Sequence, residues 1–290
     1  MKLSRILMFA ASAVALQACS HKADERPMLS VSIEPQRYLL EQIAGPAYRV
    51  NTLLENGANP ETFDPAMSQR VAADHSAAYF AVGTLPFEES LRQSLGKDVR
   101  WVDTSEGIEL LYGTHSHSHG EEHGEADEHE HSEADPHVWT SVANARRMAA
   151  NMAGALAELN PDSAAVYAAR LAALDGRLAA LDADVRQRLE GAPKVFAVWH
   201  PSLSYFAADY GLEQQAVGSE SKEMSPKRVR EVIDHAKADS VRVFFFQQEY
   251  DSRQAESINA GIGSRLVVIN PLSYDFEGQI KMIADELARP

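Results

Sequence analysis

Histidine and carboxylate are the residue types in this chain that could do chemistry. Between positions 115 and 135 stand His115, His117, His119, His123, His129 and His131, interleaved with Glu121, Glu122, Glu125, Asp127, Glu128, Glu130, Glu133 and Asp135. Imidazole nitrogen and carboxylate oxygen together suit zinc, copper or nickel. Apart from Ala126 and Ala134 there is almost nothing to bury, so the segment cannot offset its ordering entropy. It is expected to be a mobile, auxiliary metal-gathering loop. His119-Gly120-Glu121-Glu122-His123 has the H-x-x-E-H spacing of some zinc peptidases. That chemistry needs both imidazoles on one helical face, and a glycine in a polar loop is poor helix context. Ser219-Glu220-Ser221-Lys222 fits S-x-x-K, but without the companion boxes the match is coincidental.

Three residues outside the insert have better surroundings. His200 closes the apolar run Val195–Trp199 and precedes Pro201. The carboxyl end of a buried parallel strand is where α/β sheets place their sites. His137 follows Asp135-Pro136 and precedes Val138-Trp139, at a junction of loop and helix. Glu61 lies in the turn-rich stretch Gly57-Ala58-Asn59-Pro60-Glu61-Thr62-Phe63-Asp64-Pro65. His75 and His235 have no such context and read as ordinary structural residues.

The elements that must hold these residues alternate. Apolar, β-branched or aromatic runs at 29–33, 48–53, 77–82 and 99–103 read as buried strands, and so do 194–199, 241–246 and 265–269. Helical pattern separates them, as around Pro35–Ala44 and Ser225–Ala238, which argues for parallel sheets in an α/β fold. The middle is different. Ala143–Leu159 is alanine-rich, and Asn160-Pro161-Asp162 breaks it. From Ser163 to Leu189, Leu174, Leu178, Leu181, Val185 and Leu189 recur at steps of three and four, one stripe of a helix about 40 Å long. Gly176 is a weak point inside it, and Gly191 and Pro193 punctuate its end. Four strands, a long helix and at least three more strands imply two lobes, each a parallel sheet flanked by helices, joined by that helix with a site between them. The boundaries are an N-terminal lobe over 28–160, a linking helix over 161–191 and a C-terminal lobe over 192–290.

The chain has 290 residues, which leaves room for about two domains. Its formal net charge of −15 repels phosphate, which argues against a nucleic-acid partner, and suits a cation. A single cysteine excludes an intramolecular disulfide framework and a multi-cysteine zinc site. Lys2 and Arg5 precede an apolar stretch from Ile6 to Leu16, too short for a membrane span and right for the core of an export signal. Leu16-Gln17-Ala18-Cys19 resembles a bacterial lipoprotein box. Residues 1–18 are therefore expected to be a signal peptide, Cys19 the lipidated residue, and 19–27 a tether to the membrane. The protein would be exported and anchored on the periplasmic side or at the cell surface.

With these boxes in place, the chain resembles the metal-binding solute receptors of bacterial ABC importers, the zinc/manganese group called cluster A-I, in its zinc-uptake branch. The resemblance runs from about Leu29 to the C-terminus. Pro60-Glu61-Thr62-Phe63-Asp64-Pro65 stands where that family has Pro-His-x-Tyr/Phe-Glu/Asp-Pro. Asp135-Pro136-His137-Val138-Trp139 is its Asp-Pro-His-x-Trp box intact, and the acidic histidine-rich insert just before it marks the zinc members. His200, Tyr205-Phe206 and Tyr210-Gly211-Leu212 form the third box, and Asn270-Pro271-Leu272 stands for a late Asp-Pro-Leu. Two departures stand out: Glu61 replaces a histidine and Asn270 an aspartate.

The resemblance implies a site of Glu61, His137 and His200, its fourth position held by water, Asn270 or a loop histidine. Tetrahedral Zn²⁺ fits that donor set, and Mn²⁺, which prefers more oxygen, fits less well. The implied function is high-affinity zinc binding and delivery to an ABC permease and its ATPase, by a monomer that performs no covalent chemistry. Two rival readings are a zinc hydrolase with Glu61 as general base, and a surface metal-buffering or adhesin-like lipoprotein with no transport role.

Overall fold

The computed structural model describes residues 25–54, 57–113, 134–218, 224–250 and 252–290. The signal-like segment, Cys19, His115, His117, His119, His123, His129, His131 and the Ser219–Lys222 pattern lie outside the described residues.

Two sheets follow one plan. In the N-terminal lobe β1 (Met28–Val31), β2 (Arg49–Thr52), β3 (Ala78–Ala81) and β4 (Arg100–Asp103) pair in parallel, in the order β2-β1-β3-β4. In the C-terminal lobe β5 (Val195–Val198), β6 (Glu213–Ala216), β7 (Val243–Gln247) and β8 (Arg265–Ile269) repeat it as β6-β5-β7-β8. The strands bury their apolar runs: Leu29, Val31, Phe80, Phe196, Phe244 and Phe245 have no solvent exposure. All seven expected strand runs agree with the observed ones to within about two residues, the scatter any boundary assignment carries. The run expected at 241–246 begins two residues later, at Val243, after the chain turns through Ser240 at φ 56°. Strand β6 was not expected. Its Glu213-Gln214-Gln215-Ala216 has no apolar run, since it is an edge strand with little to bury.

Helices α1 (Glu34–Ala44), α2 (Met67–Asp74) and α3 (Pro86–Ser94) flank the first sheet. α6 (Ser204–Tyr210), α7 (Pro226–Ala238), α8 (Ser252–Ile262) and α9 (Phe276–Ala288) flank the second. Between them α4 (Val142–Leu159) turns at Asn160 into α5 (Ala164–Arg188), a helix of 25 residues. The predicted stripe is real: Leu174, Leu178, Leu181 and Val185 are buried on one face. Each such burial is worth about 1.5–3 kcal/mol. The stripe packs against α1 and α4 of one lobe and α9 of the other, so α5 is common to both. One hydrophobic core runs continuously from Leu29 and Phe80 through α5 to Phe245 and Ile283. A second cluster, built on Phe244, Phe246 and Ile258, fills the outer layer of the C-terminal lobe.

In each sheet the order of strands reverses at the centre, between β1 and β3 and between β5 and β7. Open α/β sheets form crevices at such points, beyond the carboxyl ends of the strands. The lobes close on each other through groups near those ends. The Trp139 indole donates to the Pro271 carbonyl at 3.0 Å, and Ser141 donates to Asp209 at 2.6 Å. Tyr205 donates to the Asp135 carbonyl at 2.9 Å and accepts from the Leu111 amide at 3.1 Å.

Candidate metal centre

His200 stands two residues beyond the end of β5, at the reversal point of the second sheet. Its backbone is held by Gln247, the fully buried last residue of β7. The Gln247 side chain accepts from the His200 amide at 3.2 Å and donates to the His200 carbonyl at 2.6 Å and to Ser202 at 2.7 Å. The residue before it, Trp199, is fixed by a glycine. The Gly218 amide donates to the Trp199 carbonyl at 2.9 Å, and a Cβ on Gly218 would lie only 2.5 Å from that oxygen. The Tyr250 ring stacks on the imidazole, with centroids 5.6 Å apart and planes 27° apart.

His137 is held by Asp135. One oxygen of this buried carboxylate accepts from the His137 amide at 2.9 Å and meets ring Nδ1 at 2.8 Å. Nδ1 then carries the proton, and the lone pair of Nε2 faces the crevice. A carboxylate behind a metal-facing histidine fixes tautomer and orientation in this way. Burial pulls the His137 pKa below the ordinary imidazole range, outweighing the pull of Asp135 in the other direction. The ring is therefore neutral near pH 7, the form that can bind a cation. Burial opposes ionisation of Asp135, but the bonds and charge of His137, with a Ser204 hydroxyl, hold its carboxyl well below the usual range. The Asp135-Pro136-His137 corner is anchored by Thr84, whose hydroxyl donates to the Pro136 carbonyl at 2.7 Å.

Glu61 comes from the loop between β2 and α2. Its amide donates to Asn59 Oδ1 at 2.8 Å, an Asx turn that sets the backbone. Farther along the loop, Arg70 pairs with Asp64 at 2.6 Å and donates to the Pro65 carbonyl at 3.0 Å. The Phe63 ring packs edge-on against Phe87. Asn59 also donates to the Tyr250 hydroxyl at 3.0 Å, tying this loop to the far lobe.

The three side chains converge. Glu61 Oε1 lies 3.2 Å from His200 Nε2 and 3.7 Å from His137 Nε2, and the two Nε2 atoms are 3.3 Å apart. A tetrahedral zinc site with bonds of about 2.0–2.1 Å has ligand–ligand edges of about 3.3–3.4 Å. The observed triangle matches one face of such a tetrahedron. Both imidazoles are nearly fully buried, and the carboxylate is 17% exposed. Among the described residues this is the one His/Cys/Asp/Glu group assembled closely enough to hold an ion.

Comparison with known proteins agrees with that chemistry. The family described as "Zinc-uptake complex component A periplasmic" matches residues 30–288. The chain belongs to this zinc-uptake family. It is 27% identical over 281 residues to the zinc-binding lipoprotein AdcA of Streptococcus pneumoniae, covering 94% of this chain and 56% of AdcA. The chain thus spans about half the length of that relative. It is 26% identical to the high-affinity zinc uptake system protein ZnuA of Bacillus subtilis, covering 82% of this chain and 76% of that one. A zinc-bound crystal structure of a ZnuA deletion mutant superposes with a TM-score of 0.80 at 31% identity, over 91% of this chain and 97% of the other.

Within the family's fold, the fourth expected residue is placed differently from the first three. The Asn270 amide donates to Gln279 at 3.0 Å, and its side-chain oxygen accepts from the Leu272 amide at 3.0 Å. Its neighbours Pro271 and Leu272, rather than Asn270, line the small cavity beside His137 and His200. The acidic insert joins the fold next to the site: Tyr112 and Ala134 form an antiparallel bridge at its base, and the Asp135 amide donates to the Leu111 carbonyl at 2.8 Å. His75 and His235 are exposed and lie away from the centre.

Sequence reasoning missed the parts played by four residues. Gln247 ends an apolar run, and a polar residue buried at a strand end was the available signal. Asp135 was visible within its box, but its role depends on folding back onto Nδ1. Glu249 and Tyr250 lie in a turn that no motif marks. Glu249 lines the cavity with His137, His200, Asn59 and Tyr250, and burial raises its carboxyl pKa, with His200 opposing.

Proposed function

We propose that this chain is a high-affinity receptor for Zn²⁺ that hands the ion to an ABC-type permease and its ATPase. The observation that carries the reading is the triangle of Glu61, His137 and His200. It combines loops of one lobe with a strand end of the other, so capture and release of the ion are coupled to how the lobes meet. Zinc is cargo here, and no covalent step is assigned to any residue. Two neutral imidazoles and a carboxylate oxygen favour zinc over manganese, whose oxygen preference a single carboxylate meets poorly. A charge of −15 concentrates cations around the chain. The acidic histidine insert would add to that by passing ions to its base beside Asp135.

The hydrolase reading is weaker. Among the described residues the cavity at the triangle is about 10 Å³, the room of one water, which fits an ion and its last ligand better than a substrate. No helix among the described residues is long and apolar enough to cross a membrane. In the receptor reading, export and anchoring are assigned to the N-terminal signal and Cys19, from the Leu16-Gln17-Ala18-Cys19 spacing, with the receptor acting as a monomer on the periplasmic side. Cys19→Ser is expected to move the protein from the membrane fraction to the soluble exported fraction.

Calorimetric titration with zinc tests the central claim. His137→Ala is expected to abolish the tight site, while deletion of residues 115–133 leaves its stoichiometry and affinity in place. A tight site that disappears with the insert and survives His137→Ala would overturn the reading.

A further inference from the structure

The triangle accounts for three corners of a tetrahedron and only one negative charge. A divalent cation bound by Glu61 and two neutral imidazoles would meet a single negative charge among its donors, in a pocket where both rings are nearly fully buried. The Asp135 carboxylate, 2.8 Å behind His137 Nδ1, offsets charge on the His137 side only. Uncompensated charge in such a place is costly. Asn270 does not offset it, being a neutral amide whose oxygen is engaged with the Leu272 amide.

The needed charge is on the turn after β7. Glu249 lies two residues beyond Gln247, the residue that clamps His200. It is half-buried and lines the cavity at the triangle. Among the described residues, no lysine or arginine forms a salt bridge with it. Its neighbour Tyr250 fixes the turn at the mouth of the site, stacked on His200 and hydrogen-bonded to Asn59 of the other lobe. Glu249 is not one of the groups whose donor atoms lie within 4.8 Å of one another, so its carboxylate has to move across the shared cavity to reach a cation held at the triangle. The cavity between has the room of about one water, which a carboxylate oxygen can fill.

We propose that Glu249, rather than Asn270, supplies the fourth donor to the bound cation, closing onto it as a second carboxylate. This inference rests on the zinc-receptor reading. The completed set is two imidazole nitrogens and two carboxylate oxygens, so the donors alone balance a divalent ion, with Asp135 behind His137 as a further negative charge outside the donor set. Each lobe contributes one carboxylate and one imidazole: Glu61 and His137 from the first, His200 and Glu249 from the second.

The test is zinc titration of the full chain as wild type, Glu249→Gln, Glu249→Ala and Asn270→Ala, with melting of each apo form as a folding control. Both Glu249 variants are expected to weaken zinc binding at least tenfold, and Asn270→Ala by less than that. A crystal structure of the zinc-loaded wild type is expected to place a Glu249 oxygen about 2.0–2.2 Å from the ion. Wild-type affinity in a folded Glu249→Gln, or water, Asn270 or an insert histidine at the fourth position, would overturn the assignment while leaving the receptor reading intact. Failure of the wild type itself to bind zinc tightly would instead sink the reading on which it rests.

Discussion

Beyond β1 and β3 the crevice of the N-terminal lobe holds Ser32, Gln36, Tyr79, Glu88 and Thr104. Beyond β5 and β7 the matching crevice of the C-terminal lobe holds His200, Gln247 and the turn of Glu249. The strand orders are the same, and both crevices are buried and polar. The difference lies in where the polar groups spend their bonds. In the first lobe, Glu88 accepts from the Val82 amide at 2.7 Å and the Gly83 amide at 2.8 Å, and from the Ser32 hydroxyl and the Leu85 amide besides. Gln36 donates to Thr104 at 2.9 Å, and Thr104 donates to the Ala81 carbonyl at 2.7 Å. Each acceptor is turned inward and consumed by its own lobe. In the second lobe Gln247 satisfies the His200 backbone, and the imidazole Nε2 is turned toward the other lobe. A crevice of given topology becomes a cation site when a buried residue meets the backbone demand and the side chain is left to face outward.

The comparison is sharpened most by a change at Asp135, the inward-facing support of an outward-facing ring. Asp135→Asn places an amide opposite His137 Nδ1. That amide can donate to Nδ1, moving the ring proton to Nε2 and masking the lone pair aimed at the cation. Loss of such an outer partner typically costs ~10–100-fold in metal affinity. Zinc titration should show a loss in that range for Asp135→Asn with unit stoichiometry retained. An unchanged affinity would mean that His137 is oriented by packing against Trp139 instead, whose ring lies 5.2 Å away.

How far these two regions were legible in the sequence follows from the same contrast. His200 could be read because an apolar run ended in a histidine, and His137 because it sat in an Asp-Pro-His-x-Trp box. Glu61 could be read as to place, while its role came by resemblance. The stripe of α5 was plain because burial on one helical face leaves a period of three and four. Edge strand β6 was illegible, since Gln214 uses its side chain to hold the Leu203 amide at 3.0 Å instead of filling a core. Gln247 and Glu249 act on His200 from 47 and 49 positions away, and only the pairing of β5 with β7 brings them together. Glu88 carried a faint sign, a carboxylate just inside a helix that opens at Pro86. Three of its four donors, the Val82, Gly83 and Leu85 amides, belong to the turn that opens its own helix, but the fourth, the Ser32 hydroxyl, comes from just beyond β1, and no local pattern encodes that.

The N-terminal crevice gives the smaller and finer test. Burial raises the Glu88 pKa to about 7 from the ordinary 4.5, outweighing the Ser32 hydroxyl and the three backbone amides that pull it down. The folded chain thus holds a proton that the unfolded chain has released. Stability from this group is complete below about pH 4.5 and is lost as the pH climbs to 7 and beyond. His137 has the opposite sign: burial depresses its pKa, so the apo fold loses stability as the pH falls below the ordinary imidazole value of 6.5. The two slopes oppose each other between pH 5 and 7 and flatten the wild-type profile. Glu88→Gln removes one of them. It also points an amide N–H₂ at backbone N–H groups, an unsatisfied contact worth about 1–3 kcal/mol, while leaving the zinc triangle untouched. Melting of the apo proteins should therefore find the variant less stable throughout, with a gap that widens by on the order of 1–2 kcal/mol as the pH is lowered from 7 to 5. Zinc affinity measured well below the melting range should match wild type. A gap that stays constant with pH would show that Glu88 remains ionised across the window, its donors prevailing over burial.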